Sequence, residues 1–304
     1  MDSKLKILVT GSSGQLANAI KQISISYPYY DFIFLNKTNL DITSHNLVRS
    51  ELKSIEPNYI INCAAYTNVD LAESNQDIAN LVNNISVKNL ALVCKDLNIT
   101  LVHLSTDYVF GNKSKRVTKR VTKRVTNKPF KESDIPAADS VYAKFKLEGE
   151  QCIIKSNLNN FLIVRTSWLY SSTSKNFVHK ILNQILLNKD FDVVNDQVGS
   201  PTFAIDLAEV ILNSLKYINS ENKGIYHYCS SDFCSRYEFA LKIRDFVNSS
   251  VLINPISSPL NSIRPAFSAL DPSKFCSTFG AKSYDWKSRL GFFIKSYNLH
   301  ELNL

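Results

Sequence analysis

The chain has 304 residues, of which 44% are hydrophobic and 20% are charged, and this is enough to bury a full core in one large or two modest domains. The opening residues, MDSKLKILVTG, lack the pattern of a secretory signal, and no apolar run reaches the roughly eighteen residues of a membrane span. We therefore expect a folded protein that stays in the cytoplasm and makes no membrane contact.

The formal net charge of +8 comes from one segment. Residues 113–128 contain eight of the 35 Lys and Arg residues and no acidic residue, so the rest of the chain has 27 basic against 27 acidic residues. The segment includes three tandem copies of Lys-Arg-Val-Thr, at 115–126. Dense like charges repel one another and favour a mobile surface insertion. A weak patch for polyanions is the alternative, and we do not expect nucleic-acid binding.

The six cysteines and five histidines are dispersed along the chain. None of the cysteines forms a C-x-x-C pair, and none lies near a histidine at metal-ligand spacing. We expect reduced, buried thiols and no catalytic metal.

Short apolar runs alternate with helical patterns through the N-terminal half, as in βαβ units around a parallel sheet. The first helix is predicted to follow Gly14. Further helices are predicted at Ser44–Ile55, Val82–Leu97 and Val141–Lys155. The strands are predicted at Ile7–Val9, Phe32–Leu35, Tyr59–Cys63, Leu101–Leu104 and Phe161–Val164. This pattern predicts an α/β fold with a Rossmann-type doubly wound parallel sheet.

Beyond Trp168 the alternation is less regular, with helical stretches near Phe177–Leu187, Ile205–Tyr217 and Ser235–Val247. We predict a smaller, partly interleaved C-terminal substrate domain. The dinucleotide-binding domain then comprises residues 1–167 and 202–222, and the substrate domain comprises 168–201 and 223–304. A ligand cleft is expected between them, at the carboxyl ends of the strands.

The first predicted strand runs into Gly11-Ser12-Ser13-Gly14 and then a helix. Glycines at this turn let backbone N–H groups approach a pyrophosphate, which the helix N-terminus also attracts. After the second strand, Leu35-Asn36-Lys37 offers no acid for a ribose 2′-hydroxyl, while Lys37 can meet a 2′-phosphate. The sequence therefore predicts a dinucleotide site that favours NADPH, with NADH as the alternative.

Tyr142 and Lys146 lie four residues apart in a helical pattern and so share one face. This spacing also arises by chance among 14 tyrosines and 26 lysines, but here it follows a strand that ends at Thr106. A carbonyl that accepts hydride needs a proton, and a phenol supplies it at neutral pH when a nearby cation lowers its pKa. We predict Tyr142 as the proton donor, Lys146 as the cation and Thr106 as the holder of the carbonyl oxygen.

Several stretches resemble one known family along nearly the whole chain. They include GSSGQLA at 11–17, LDIT at 40–43, NCAAYTNVDLAE at 62–73, STDYVFG at 105–111, VYAKFKLEGE at 141–150, RTSWLY at 165–170, DQVGSPT at 196–202 and RPAFSALD at 264–271. The chain resembles the extended short-chain dehydrogenase/reductases and, within them, the dTDP-4-dehydrorhamnose reductase family. It departs from the pattern at Ala17, where the family has a third glycine, and at Cys63, where alanine is usual.

The resemblance implies roles for individual residues. It assigns Thr106, Tyr142 and Lys146 to catalysis. It assigns to the cofactor, besides Tyr142 and Lys146, the residues Gly11, Gly14, Gln15, Leu16, Asp41, Ile42, Ala64, Ala65 and Thr67. It assigns to the substrate the residues Asp107, Tyr108, Trp168 and Arg264.

The resemblance also implies a reaction. The expected activity is reduction of the C4 keto group of dTDP-4-dehydro-6-deoxy-L-mannose by NAD(P)H, giving dTDP-L-rhamnose for cell-surface polysaccharide. One alternative is reduction of another nucleotide-linked 4-keto-6-deoxy sugar. A second is a non-catalytic NADP-binding regulatory subunit resembling that of methionine adenosyltransferase. The expected partner is a nucleotide sugar, and assembly as a homodimer stays open.

Overall fold

The computed structural model describes residues 4–111, 128–173, 176–260 and 262–296. Residues 113–127 of the basic repeat lie outside this part of the chain. In chain order the strands are β1 (Leu5–Thr10), β2 (Tyr30–Leu35), β3 (Tyr59–Asn62), β4 (Thr100–Thr106), β5 (Phe161–Thr166), β6 (Leu169–Tyr170), β7 (Phe191–Val194), β8 (Val198–Gly199), β9 (Thr202–Phe203), β10 (Gly224–His227), β11 (Cys234–Ser235) and β12 (Ile253–Ile256).

The helices follow the strands in the expected alternation. They are α1 (Gln15–Ile23), α2 (His45–Ile55), α3 (Val69–Ser74), α4 (Gln76–Asn80), α5 (Ser86–Asp96), α6 (Val141–Lys155), α7 (Phe177–Leu186), α8 (Ala204–Ser214), α9 (Arg236–Phe246), α10 (Ser273–Phe279) and α11 (Trp286–Ser296). A π-helical turn at Leu81–Ile85 lies between α4 and α5. The helix predicted at Val82–Leu97 therefore begins inside this turn. Among the described residues, no helix is both long enough and apolar enough to cross a membrane.

One parallel sheet of six strands forms the centre of the molecule, in the spatial order β2-β1-β3-β4-β5-β10. Successive side chains of β1 belong to different apolar clusters: Ile7 and Val9 pack with α1 and α8, whereas Leu8 packs with α2 and α5. Because both faces are covered by helices, a strand of this sheet consists of a continuous apolar run. The predicted doubly wound sheet is confirmed.

The sheet has its topological switch point between β1 and β3. From β1 the chain passes to β2 on one side, and it then returns to β3 on the other side. Connections that diverge from neighbouring parallel strands leave a crevice at the strands' carboxyl ends. The fold therefore opens a ligand crevice beside Thr10 and Asn62, the last residues of β1 and β3.

The second half of the chain has a core of its own and also contributes to the central sheet. Its apolar cluster joins α7, α9 and α11 through buried side chains such as Tyr170, Phe239 and Phe293. The pairs β6–β9, β7–β12 and β8–β11 surround this cluster. Strand β10, in contrast, pairs with β5 and covers the edge of the central sheet. Residues 224–227 were assigned to the second domain by the sequence-based division, but they lie in this sheet.

A buried ion pair fixes α6 to β5. Arg165 donates two hydrogen bonds to Glu150, of 2.9 and 2.6 Å, and the two side chains are only 2% and 1% exposed. Glu150 also accepts a 2.5 Å hydrogen bond from the Ser105 hydroxyl of β4. The His227 ring on β10 lies 3.4 Å from the Arg165 guanidinium. Three strands and one helix are thus joined by one polar network.

Replacement of one partner should leave the other charge buried and unpaired. We expect Glu150→Gln to lower the free energy of unfolding by about 3–5 kcal/mol, measured by urea denaturation. The control is Arg49→Met, because the Arg49–Asp96 pair is 40% and 49% exposed, and we expect it to cost about 1 kcal/mol or less. Equal losses in the two variants would contradict a structural role for the buried pair.

Candidate functional site

A cavity of about 980 Å³ lies at the carboxyl ends of the central strands. Its walls come from the turn after β1, the loop after β3, the end of β4 and the first turns of α6. Every residue predicted for the cofactor, for catalysis or for the substrate lines this cavity, with the exception of Arg264. The fold therefore brings the predicted site together from segments far apart in the sequence.

The Gly11–Gly14 turn has the shape of an anion cradle. Gly11 has φ +61°, and a Cβ atom there would lie 2.7 Å from the backbone nitrogen of Ala64. The Gly14 N–H donates to the Gly11 carbonyl at 2.9 Å, and no side chain caps the start of α1. The free N–H groups of the first helical turn are suited to bind a pyrophosphate.

The end of the cavity beside β2 carries one anion and one cation. The Asp41 carboxylate accepts hydrogen bonds from the Thr43 N–H at 3.0 Å and the Thr43 hydroxyl at 2.7 Å. These bonds, with a smaller contribution from Lys37, hold the pKa of Asp41 below its usual value. Asp41 is therefore a fixed carboxylate that can accept from a ribose or a base, while Lys37 lines the same end of the cavity.

Asn83 fixes the loop after β3 and was not predicted. Its side chain accepts from the Tyr66 N–H at 2.9 Å and donates to the Tyr66 carbonyl at 2.9 Å. The π-helical turn places Asn83 against α6, where Gly149 leaves no side chain in the way of the Asn83 carbonyl. Ala64, Ala65 and Thr67 are thereby held along the cavity wall.

The Gln15 side chain connects α1 to the segment that follows β6. It donates to the Leu169 carbonyl at 3.2 Å and accepts from the Ser171 hydroxyl and the Asn176 amide at 3.1 and 3.0 Å. These contacts use the amide oxygen and one of the two amide N–H donors. Gln15 can therefore offer a ligand its backbone N–H, at the start of α1, and its second amide N–H.

The start of α6 is fixed at two points. Ser140 caps the helix by accepting from the Ala143 N–H at 3.2 Å, and Glu73 accepts from the Val141 N–H at 2.8 Å. The Tyr142 hydroxyl lies near the Thr106 side chain, which acts to lower the pKa of Tyr142. Burial raises the pKa of Tyr142, so the hydroxyl keeps its proton at neutral pH.

Lys146 lies one helical turn after Tyr142 and is buried. Its ammonium donates to the Leu104 carbonyl at 2.5 Å, and its nitrogen lies 3.4 Å from Nε2 of His103. Burial lowers the pKa of Lys146 to about 8, although the nearby Glu150 acts in the opposite direction. The Lys146 ammonium therefore begins to lose its proton near pH 8.

A buried polar chain extends from Lys146 under the cavity and was not predicted. Nδ1 of His103 lies 3.1 Å from the Asn62 amide, and the Asn62 side chain accepts a 2.6 Å hydrogen bond from the Thr10 hydroxyl. Burial, and then the charge of Lys146, hold the pKa of His103 well below its usual value. His103 is therefore neutral, and the chain connects Lys146 to the end of β1.

Asp107 is almost fully buried next to Thr106. Its carboxylate accepts hydrogen bonds from the hydroxyls of Ser268 at 2.5 Å, Ser167 at 3.1 Å and Thr106 at 3.1 Å. Burial raises the pKa of Asp107 to about 6 in spite of these bonds. Both carboxylate oxygens are engaged, so Asp107 holds three segments around the cavity.

The far end of the cavity is formed by Tyr108, Trp168 and Arg236. Trp168 has φ +47°, a left-handed conformation that is uncommon for a bulky residue. Its ring packs on Gly199, where a Cβ atom would lie 2.5 Å from a ring carbon, and against the Arg236 guanidinium at 3.6 Å. Arg236 was not predicted as a site residue.

Arg264 lies outside the cavity lining. It makes two hydrogen bonds to Asp70, of 2.9 and 2.7 Å, and the two side chains are 36% and 64% exposed. The Tyr108 side chain is also near it and acts to raise the pKa of Arg264. Arg264 therefore lies at the rim, near the cavity-lining Tyr108.

Gly11→Ala should damage both the fold and dinucleotide binding. The control is Gly280→Ala, because Gly280 has φ +64° with nothing within 4 Å of its added Cβ atom. We expect the left-handed conformation to cost each variant about 1–2 kcal/mol. Gly11→Ala should lose a further ~1–3 kcal/mol from overlap, with weakened NADPH binding in calorimetry. Unchanged NADPH affinity in Gly11→Ala would contradict the cradle.

The comparison with known proteins agrees with the predicted resemblance. The family described as RmlD substrate binding domain matches residues 5–299. A dTDP-4-dehydrorhamnose reductase from Aggregatibacter actinomycetemcomitans is 35% identical over 94% of this chain and 97% of the relative.

Two solved structures of the same kind are similar over their full length. A dTDP-4-dehydrorhamnose reductase from Clostridium acetobutylicum has a TM-score of 0.86 at 33% identity, over 99% of this chain and 100% of that chain. One from Bacillus anthracis, in complex with NADP, has a TM-score of 0.85 at 32% identity, over 96% and 99%. The chain therefore belongs to the RmlD substrate binding domain family, in which it is similar to dTDP-4-dehydrorhamnose reductases along nearly its whole length.

Proposed function

We propose that this chain reduces the C4 keto group of dTDP-4-dehydro-6-deoxy-L-mannose with NADPH, giving dTDP-L-rhamnose for cell-surface polysaccharide. The observation that carries the proposal is the meeting of Tyr142, Lys146 and Thr106 in a cavity that also contains the Gly11–Gly14 cradle. Family membership adds the sugar, because the relatives named above are dTDP-4-dehydrorhamnose reductases.

The residues present fit a nicotinamide dinucleotide. The cradle and the uncapped start of α1 would hold the pyrophosphate, and Asp41 would accept from the adenosine. Lys37 would meet a 2′-phosphate, which favours NADPH over NADH, and the relative from Bacillus anthracis was solved with NADP. When bound there, NADPH supplies the hydride.

The protein's own groups then manage the proton. Thr106 holds the carbonyl oxygen of the substrate, and Tyr142 donates its proton to that oxygen while the carbonyl carbon gains hydride. The pKa of Tyr142 is raised by burial, which keeps the donor protonated before reaction. The Lys146 ammonium and the Thr106 hydroxyl then stabilise the phenolate that remains.

The predicted substrate residues divide into two groups. We assign Tyr108 and Trp168 to direct contact, because both line the far end of the cavity. Asp107 is assigned a positioning role, because three hydroxyls already occupy its carboxylate. Arg264 is assigned to the rim. We also propose that the protein works in the cytoplasm, in keeping with its six free cysteines.

Tyr142→Phe tests the reaction directly. With dTDP-4-dehydrorhamnose present, the wild-type chain should oxidise NADPH, and the variant should lose about 100-fold or more in kcat because the proton donor is absent. Tyr27→Phe is the matched control, since its hydroxyl bonds to Asn213 far from the cavity, and it should keep wild-type turnover.

The same absorbance assay separates the alternatives. Turnover of a different nucleotide-linked 4-keto-6-deoxy sugar, with none of dTDP-4-dehydrorhamnose, would replace the proposed substrate. If no sugar is turned over and the chain captures a methionine adenosyltransferase in stoichiometric amounts, the protein is a regulatory subunit and not a reductase.

Titration of Lys146 should appear in the pH profile. Burial places its pKa at about 8, below the usual value for lysine, so the required cation is lost as the pH rises through that value. We expect kcat/KM to fall about tenfold per pH unit above about 8. Lys146→Arg stays cationic and should lack this limb, although its turnover is lower. A wild-type profile that is flat to pH 10 would contradict the assignment.

A further inference from the structure

The first residue of α9 is a charged group that the proposed reaction leaves unexplained. Arg236 lines the far end of the cavity, and its guanidinium carbon lies 3.6 Å from the Trp168 ring centre and 4.8 Å from that of Phe177. Two aromatic rings thus lie against the guanidinium group, which directs its N–H donors along the free edges.

Arg236 has no carboxylate partner among the residues that the structure describes. The side-chain ion pairs there are Arg49–Asp96, Glu150–Arg165, Arg244–Asp245, Asp70–Arg264 and Asp206–Arg289. The Tyr108 hydroxyl lies near Arg236, whose positive charge acts to lower the pKa of Tyr108. The nearby carboxylate of Asp107 is already bonded to three hydroxyls. Arg236 is partly buried and feels the charge of Asp107 without forming an ion pair with it, so a ligand anion can supply the direct partner.

The backbone holds Arg236 rigidly at this place. Ser235 and Glu238 form a reciprocal cap, with hydrogen bonds of 2.7 Å from the Ser235 N–H to the Glu238 carboxylate and 3.1 Å from the Glu238 N–H to the Ser235 hydroxyl. The Arg236 N–H donates to the Gln197 carbonyl at 3.0 Å. The side chain is therefore preorganised before any ligand arrives.

Tyr108 lies between the reacting centre and Arg236. Its ring packs edge-on against the Tyr142 ring, with centroids 6.0 Å apart, and its hydroxyl is near Arg236. In a pyranose, C1 lies across the ring from C4. A sugar whose C4 is next to Tyr142 therefore carries its C1 substituent about one ring width away, and Arg236 lines the same cavity beside Tyr108.

We propose that Arg236 binds the diphosphate that joins the sugar to its nucleoside, with the Tyr108 hydroxyl beside it; this inference rests on the proposed function. A guanidinium edge matches two phosphate oxygens and can bind both. Arg264 is near the same tyrosine at the rim, but two of its donors are engaged by the Asp70 carboxylate. Arg236 can therefore bind the diphosphate without first breaking an ion pair.

The test compares dTDP with thymidine. Calorimetry on the NADPH-loaded protein should give a dTDP affinity that falls about 10- to 100-fold in Arg236→Met, while thymidine affinity stays within about threefold. In turnover, KM for the nucleotide sugar should rise by a similar factor with kcat nearly unchanged. Arg244→Met on the same helix is the matched control, because Arg244 pairs with Asp245 at the surface.

A second variant distinguishes the loss of a diphosphate contact from a folding defect. Arg236→Lys keeps the charge and loses the planar fork, so it should show a smaller loss in dTDP affinity with unchanged NADPH affinity and thermal midpoint. Folded Arg236→Met with wild-type affinity for dTDP would overturn the inference while the reductase activity stood. A wild-type chain that neither reduces the keto sugar nor binds dTDP would overturn the proposed function, and the inference with it.

Discussion

The attachment of α6 to the carboxyl half of β4 is the constraint on which the site depends. Lys146 donates to the Leu104 carbonyl, and one turn later Glu150 accepts from the Ser105 hydroxyl. Consecutive residues of one strand thus bind successive turns of one helix, which places Tyr142 against Thr106, the next residue of the strand. The same buried contacts lower the pKa of Lys146 and raise that of Tyr142. The burial that joins α6 to β4 therefore also sets the pKa values of Lys146 and Tyr142.

Charge is distributed along the cavity in a way that suits two phosphorylated ligands. Lys37 lies at one end and Arg236 at the other, with the uncapped start of α1 and Lys146 between them. The carboxylates in the lining are Asp41 and Asp107. Both oxygens of Asp107 accept hydrogen bonds from hydroxyls, whereas the two bonds from Thr43 fall on Oδ1 of Asp41 and leave its Oδ2 for a ligand. The groups left to meet a ligand are mainly cations and N–H donors, which is the complement of a dinucleotide and a nucleotide diphosphate sugar.

The sequence predicted local features well and long-range contacts poorly. Five strands of the sheet and the glycine turn followed from apolar runs and from spacing, because those patterns lie within a few residues. Strand β10 was assigned to the other domain, since a four-residue run does not disclose its partner. Asn83, His103 and Arg236 were missed because their roles come from contacts such as Asn83 with Tyr66, which only the folded chain makes. Arg264 was predicted from resemblance alone, and the structure engages it with Asp70.

The two arginines near Tyr108, Arg236 and Arg264, differ in whether an anion must displace a carboxylate in order to bind them. The Arg264–Asp70 pair is partly exposed, and such pairs contribute about 1 kcal/mol or less, so an incoming anion can displace Asp70 at little cost. Arg236 is partly buried and stacked on Trp168, and it can bind an anion without breaking any of the ion pairs in the described part of the chain. An anion that binds Arg236 therefore displaces no partner, whereas one that binds Arg264 must first exchange with Asp70. On this comparison the proposed diphosphate site is centred on Arg236 and not on Arg264.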